Sequence, residues 1–200
     1  MRNTLRIILL SIFLMLAGAI SAAAQTTPQT HDEFVEAGRQ AAVKGDFNGA
    51  VQWYSKAIAV SPDDYDILYA RAGAYAVLQK YDEAVKDLNV ILNARPENID
   101  VLYARATYLN AKGDYKKGFK DAEALLKLKA DHAGGYQARG TAYAGQKKWK
   151  EAEADLNKSI SLNPNDPGTY LVRSAVYTGL GMAAQAQADK LKAEQLQRGK

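Results

Sequence analysis

The chain has 200 residues, 48% of them hydrophobic and 24% charged, a balance that excludes a disordered or low-complexity protein. It has no cysteine, which excludes a disulfide framework, a thiolate metal site, a cysteine nucleophile and a lipid-anchoring cysteine. The formal charge of +4 falls to +2 once Arg2 and Arg6 are set aside, and that gives no case for nucleic-acid binding.

The first segment reads as a leader. Arg2 and Arg6 precede an uncharged apolar run of 14 residues, Ile7 to Ile20, and Ala22 and Ala24 then form an A-x-A arrangement. That order predicts a signal peptide over 1–24, cleaved after Ala24. The run is too short for a permanent membrane span, which takes about 20 residues. The expected product is an exported protein, periplasmic or secreted, with a short linker over 25–30.

From His31 onward the chain repeats. The pentapeptide LYARA occupies Leu68–Ala72 and again Leu102–Ala106, 34 residues apart. In that register, blocks 31–64, 65–98, 99–132, 133–166 and 167–200 align without insertions. Their fourth residues are Phe34, Leu68, Leu102, Tyr136 and Tyr170. Their eighth are small: Gly38, Ala72, Ala106, Gly140 and Ser174. Positions 4, 7, 8 and 11 follow the i, i+3, i+4, i+7 spacing of an amphipathic helix. Gly45, Gly113 and Gly181 then suit a left-handed helix end. A second helix follows, with small residues at Ala50, Ala84, Gly118, Ala152 and Ala186. Pro62, Pro96 and Pro164 are expected to stop it. The third block has Ala130 there, with Gly118 and the run ADHAGGY, so helix propensity makes the joint between the third and fourth blocks the softest. In the fifth block Lys190 replaces a core leucine, as a polar end cap requires.

The period of 34 and the pattern LYARAGAY…KYDEAVKDLNVILNARPE resemble the tetratricopeptide repeat family across residues 31–200. The resemblance implies an all-α fold, a right-handed α-solenoid of five tandem helix–turn–helix repeats. First helices would line a concave groove and second helices the convex side. It also implies protein or peptide binding. One departure stands out, because the family commonly carries an apolar residue at position 7. Here that position holds Ala37, then Arg71, Arg105, Arg139 and Arg173. Position 23 holds Trp53, then Asp87, Asp121, Asp155 and Asp189, so the two charges switch on together. Pairing within each repeat (Arg71–Asp87, Arg105–Asp121, Arg139–Asp155, Arg173–Asp189) leaves no charge without a partner, whereas pairing with the preceding repeat strands Asp189. The within-repeat clip is therefore expected, against the alternative that the arginines extend to water.

No catalytic or metal constellation appears, and no enzyme or cofactor is expected. His31 and His132 lie three repeats apart near block boundaries and read as exposed turn residues. The acidic Asp63–Asp66 stretch suits a helix N-terminus. Lys147, Lys148 and Lys150 beside Trp149 read as a solvated turn. The groove is the remaining site. Helical geometry turns positions 2, 5, 9 and 12 toward it, and the candidate contact residues are Arg39, Tyr69, Tyr103, Thr107, Asn110 and Gln137. The two tyrosines can equally pack against neighbouring first helices. Val35 and Arg39 stand where the family's chaperone binders carry lysine and asparagine, followed by Ala70 and Ala104. The carboxylate clamp for an Hsp70/Hsp90-type C-terminal tail is thus absent. The expected function is a non-catalytic interaction scaffold outside the cytoplasm, its partner an unidentified protein or peptide held in the groove. The alternative is a structural subunit of an envelope assembly or secretion complex, docked through its convex face or ends. Charge is graded along the array: Lys and Arg against Asp and Glu run 3 to 6, 4 to 5, 7 to 5, 5 to 4 and 5 to 2 through the five blocks. Such a gradient orients a charged partner.

Overall fold

A computed structural model describes residues 30–199; the expected signal peptide and most of the linker lie outside the described residues. Among the described residues there are ten helices and no strand. The first repeat supplies α1 (His31–Val43) and α2 (Phe47–Val60), the second α3 (Tyr65–Val77) and α4 (Tyr81–Ala94). The third supplies α5 (Ile99–Lys112) and α6 (Tyr115–Leu128), the fourth α7 (Ala133–Gly145) and α8 (Trp149–Leu162). The fifth ends the array with α9 (Pro167–Gly179) and α10 (Ala183–Arg198). Each pair packs as a hairpin, and each second helix packs on the first helix of the next repeat.

Short polar side chains start most helices by accepting orphan backbone N–H groups. Thr30 and Glu33 form a reciprocal capping box on α1. Asp46, Asp64, Asn98, Asp114 and Asp166 cap α2, α3, α5, α6 and α9. The first helix of every repeat ends in the same way. Position 15 is left-handed in all five: Gly45 (φ 78°), Gln79 (58°), Gly113 (93°), Lys147 (60°) and Gly181 (74°). The next N–H then reaches back to close the turn, as from Asp46 to Ala41 (2.9 Å) and from Met182 to Tyr177 (2.8 Å). Gln79 and Lys147 are exposed and gain no contact for the strain. A left-handed L-residue costs about 1–2 kcal/mol, partly offset by the chain entropy that glycine would lose. Gln79→Gly and Lys147→Gly are each expected to raise stability by about 0.5–1 kcal/mol, read from the urea midpoint at unchanged slope.

Proline is not what ends the second helices. α6 stops at Leu128, in register with α2, α4 and α8, although Ala130 follows it. Its terminal Lys129 is extended and bonds Leu125, as Ser61, Arg95 and Asn163 do at the other three ends. The turn into the next repeat sets the boundary.

The small residues at positions 8 and 20 are all buried, from Gly38 and Ala50 to Ser174 and Ala186. They let the two helices of a hairpin close on each other. Between these crossings Leu68, Leu88, Ile91, Leu102 and Leu125 form the largest core, joining repeats two and three. The joint between repeats three and four is built differently. There α5 and α7 also touch directly, because a Cβ on Gly134 would run into Tyr103, and Gly135 packs α7 closely on α6, where a Cβ would meet Leu125 and Leu126. The glycines read from propensity as slack are contact residues. In α10 only Ala186, Asp189 and Ala193 are buried, and Lys190 is exposed.

Candidate functional site: arginine clamps and a two-part groove

The arginines at position 7 rise from first helices toward second helices. Arg71 donates Nε and Nη2 to the two carboxylate oxygens of Asp87, both at 2.8 Å. Arg105 grips Asp121 in the same bidentate way (2.7 Å), as do Arg139 with Asp155 (2.7 and 2.8 Å) and Arg173 with Asp189 (2.8 Å). All four aspartates are buried. The hydrogen bond to its aspartate holds each of Arg71, Arg139 and Arg173 above the ordinary arginine pKa, against the opposing effect of burial.

A third bond, made by three of the four arginines, is not legible from the arginine and aspartate pattern. Arg71 Nη1 donates to Ser55 of the preceding repeat (2.9 Å). Arg105 reaches Asn89 and Arg173 reaches Asn157 in the same way, both at 2.7 Å. Position 25 thus supplies the acceptor. Its polar run Ser55, Asn89, Glu123 and Asn157, two residues after each position-23 residue, was the available signal. Arg71, Arg105 and Arg173 therefore tie their own hairpins together and tie them to the preceding repeat, whereas among the described residues Arg139 bonds only Asp155 of its own hairpin. In the first repeat Ala37 and Trp53 replace the pair; Phe34 stacks on Trp53 and Lys56 lies 4.1 Å from the indole centroid.

The predicted groove residues separate into three groups. Tyr69 is 41% exposed and lines a cleft with Tyr65, Asp66, Arg95 and Asp100. Arg39 is exposed over a neighbouring cleft that includes Asp32, Glu36 and Asp64. Thr107 lines a larger cleft across repeats three to five. Gln137 and Tyr103 are partly committed elsewhere. Tyr103 donates its hydroxyl to Gln137 (3.2 Å), and Gln137 donates to the capping carboxylate of Asp166 (2.7 Å). Asn110 lines that larger cleft, as Gln137 does, but is only 5% exposed and donates to the Ala138 carbonyl (2.7 Å). The close approach of α7 to α5 covers it. Burial raises the hydroxyl pKa of both Tyr69 and Tyr103, so both remain neutral donors.

The larger cleft has a volume of about 660 Å³ and no charged residue in its lining. Leu171, 46% exposed, stands in it beside Val172, Ala175, Ala144 and Thr141. Tyr115 and Trp149 form its outer wall. The signal for that wall is the pairing of a position-17 aromatic with a small position-13 residue in the next repeat. Tyr115 covers Gly145, and a Cβ on Gly179 would lie 2.9 Å from Trp149.

His132 is also corrected from an exposed turn residue. It is half-buried and caps α7, its Nδ1 accepting from the Gly135 N–H (2.9 Å); its ring lies 5.7 Å from that of Tyr103. An accepting Nδ1 carries no proton. Burial, then the charge of Lys129, lowers the His132 pKa. The folded state thus takes up this proton at lower pH than the unfolded chain. This contribution to stability is complete above about pH 6.5, the ordinary histidine value, and is lost as pH falls from there through the lowered folded value. His132→Asn preserves a cap that does not titrate, and is expected to flatten the stability profile over that acidic interval in urea titrations. His31 lies between Asp32 (3.0 Å) and Asp64 (3.1 Å). Among the described residues no group of three or more histidine, aspartate or glutamate side chains is placed to hold a metal ion.

Comparison with known proteins agrees with this architecture. A TPR repeat model matches residues 38–79 and a tetratricopeptide repeat model matches residues 133–166. No curated protein matches the sequence. A tetratricopeptide repeat protein from Parabacteroides merdae superposes with a TM-score of 0.73 at 23% identity, over 86% of this chain and 67% of that one. MamA from Desulfovibrio magneticus superposes with a TM-score of 0.70 at 19% identity, over 85% and 96% of the two chains. A thermophilic TPR protein of Thermus thermophilus also gives 0.70, at 18% identity, over 84% and 91%. At these identities the likeness is one of fold.

Proposed function

Because this chain belongs to the tetratricopeptide repeat family, we propose that it is an exported, non-catalytic scaffold that holds a protein segment in the groove of repeats three to five. The observation that carries this reading is the uncharged cleft of about 660 Å³ with Leu171 standing 46% exposed inside it. An apolar side chain on a rigid, concave wall gains most when a partner side chain removes it from water. Export is supported by Arg2 and Arg6, the apolar run after them and the Ala22–Ala24 pattern. Among the described residues no helix is long and apolar enough to cross a membrane.

Leu171→Asp places a charge in the cleft without touching a clamp. It is expected to lower capture of partner from a native envelope fraction by about tenfold or more, with helicity and melting temperature unchanged. Unchanged capture would remove the groove from the account. A second reading has its own observation. Val60, Leu128 and Leu162 share position 30 at second-helix ends and are all exposed, and Val90 is exposed on α4. Docking through that side would make the chain a structural subunit of an assembly, and Val90→Asp would then lower capture while Leu171→Asp would not.

A further inference from the structure

The groove changes chemistry halfway along. In repeats three to five its cleft has no charged lining residue. In repeats one to three the two clefts along the same face are lined by Asp32, Glu36, Asp64, Asp66 and Asp100, against Arg39 and Arg95. Arg95 lies over the Tyr65 ring, 4.7 Å from its centroid. Asp32, Asp66 and Asp100 all occupy repeat position 2 and all are exposed. Repeats four and five have Gly134 and Gly168 there, so the acidic row stops where the apolar cleft begins. Capping does not require the row, although a first-turn carboxylate also suits the helix dipole. Thr30, Asp64 and Asn98 already cap those three helices, and α7 and α9 begin without a position-2 carboxylate.

From this we infer that the occupant is a protein segment of mixed chemistry, with apolar side chains over repeats three to five and lysine or arginine over Asp100, Asp66 and Asp32. The inference rests on the groove reading above and adds the partner's chemical class to it. Carboxylates beside an apolar cleft attract a cationic segment and repel an acidic one, which sets partner choice and register. Tyr69, exposed between Asp66 and Asp100, offers an aromatic face to a cation. Packed helices lie about 8–10 Å apart, and most first helices are joined through second helices, so a groove crossing five first helices spans at least about 30–40 Å. An extended segment of about 10–12 residues covers that length.

The test uses the chain from Gln25 onward, which contains every described repeat, and labelled peptides of about 12 residues. The probe has leucines at alternate positions in one half and lysines in the other, synthesised in both orders. Two controls exchange every lysine for glutamate or every leucine for serine. In fluorescence anisotropy the leucine–lysine probe is expected to bind in one of its two orders, and both controls more weakly by about tenfold or more. Asp66→Asn with Asp100→Asn is expected to weaken the probe about tenfold and to flatten its salt dependence. Leu171→Asp is expected to abolish binding. Circular dichroism of each variant must match the parent. Equal binding of the lysine and glutamate peptides, with both lost in Leu171→Asp, overturns the mixed-charge inference and leaves the groove reading standing. Binding that survives Leu171→Asp overturns both. Failure of the leucine–lysine probe to bind in either order overturns the inference.

Discussion

Replacing Asp87 with alanine is expected to destabilise the array by about 3 kcal/mol, the lower end of the loss seen when a buried ion pair is broken from one side. The arginine is the reason for so large an effect. The Arg71 side chain is only 17% exposed and that of Asp87 8%, so the guanidinium left behind has little water to replace two 2.8 Å bonds. Its remaining bond to Ser55 keeps it facing the neighbouring repeat, which restricts its escape to solvent and places the value at the lower end rather than near zero. Replacing both partners with apolar residues, Arg71→Met with Asp87→Leu, removes the stranded charge. That double variant is expected to lose less than Asp87→Ala alone. Urea unfolding of the two variants, compared at equal slope, measures the difference.

Gly118→Ala is expected to destabilise by about 1–2 kcal/mol, the opposite of what helix propensity alone predicts. Propensity favours alanine in a helix interior by about 1 kcal/mol. At Gly118, however, an added Cβ would meet the Asn110 side chain, and it would lie 3.0 Å from the Ala106 carbonyl oxygen. Asn110 is buried and holds the Ala138 carbonyl of the next repeat. Displacing it breaks that bond and leaves buried polar groups unpaired, a loss of about 1–3 kcal/mol on top of the steric strain. Removing the obstruction should restore the ordinary sign: in an Asn110→Ala background, Gly118→Ala is expected to be neutral or stabilising. Additive effects in this cycle would mean that Gly118 and Asn110 do not share the space the structure gives them.

Much of the fold was legible because a solenoid is close to one-dimensional. The spacing of 34 placed every hairpin, and the joint switch of Ala37 and Trp53 to Arg71 and Asp87 identified residues that the structure brings within 2.8 Å. Contacts between repeats were harder to read, since they depend on how closely one hairpin settles on the next. Position 12 lies on the groove-facing arc of a helix, yet Asn110 is only 5% exposed, its amide held on the Ala138 carbonyl of α7, which Gly134 lets approach α5 at Tyr103. The same approach turns Tyr103 toward Gln137 and His132, leaving Tyr69 as the more open of the two tyrosines. Leu171 lay on the arc turned toward the groove, but its importance depends on the small neighbours Ala144 and Ala175 that leave space around it. That is a property of three helices together, which no single helical face reveals.

The groove assignment is tested most directly by photo-crosslinking from single positions in the native setting. A photoreactive residue at Leu171 samples the cleft of repeats three to five; one at Val90 samples the exposed side of α4. The account predicts a discrete partner adduct from Leu171 and none from Val90. An adduct from Val90 with none from Leu171 would contradict it and move the binding surface to the second helices.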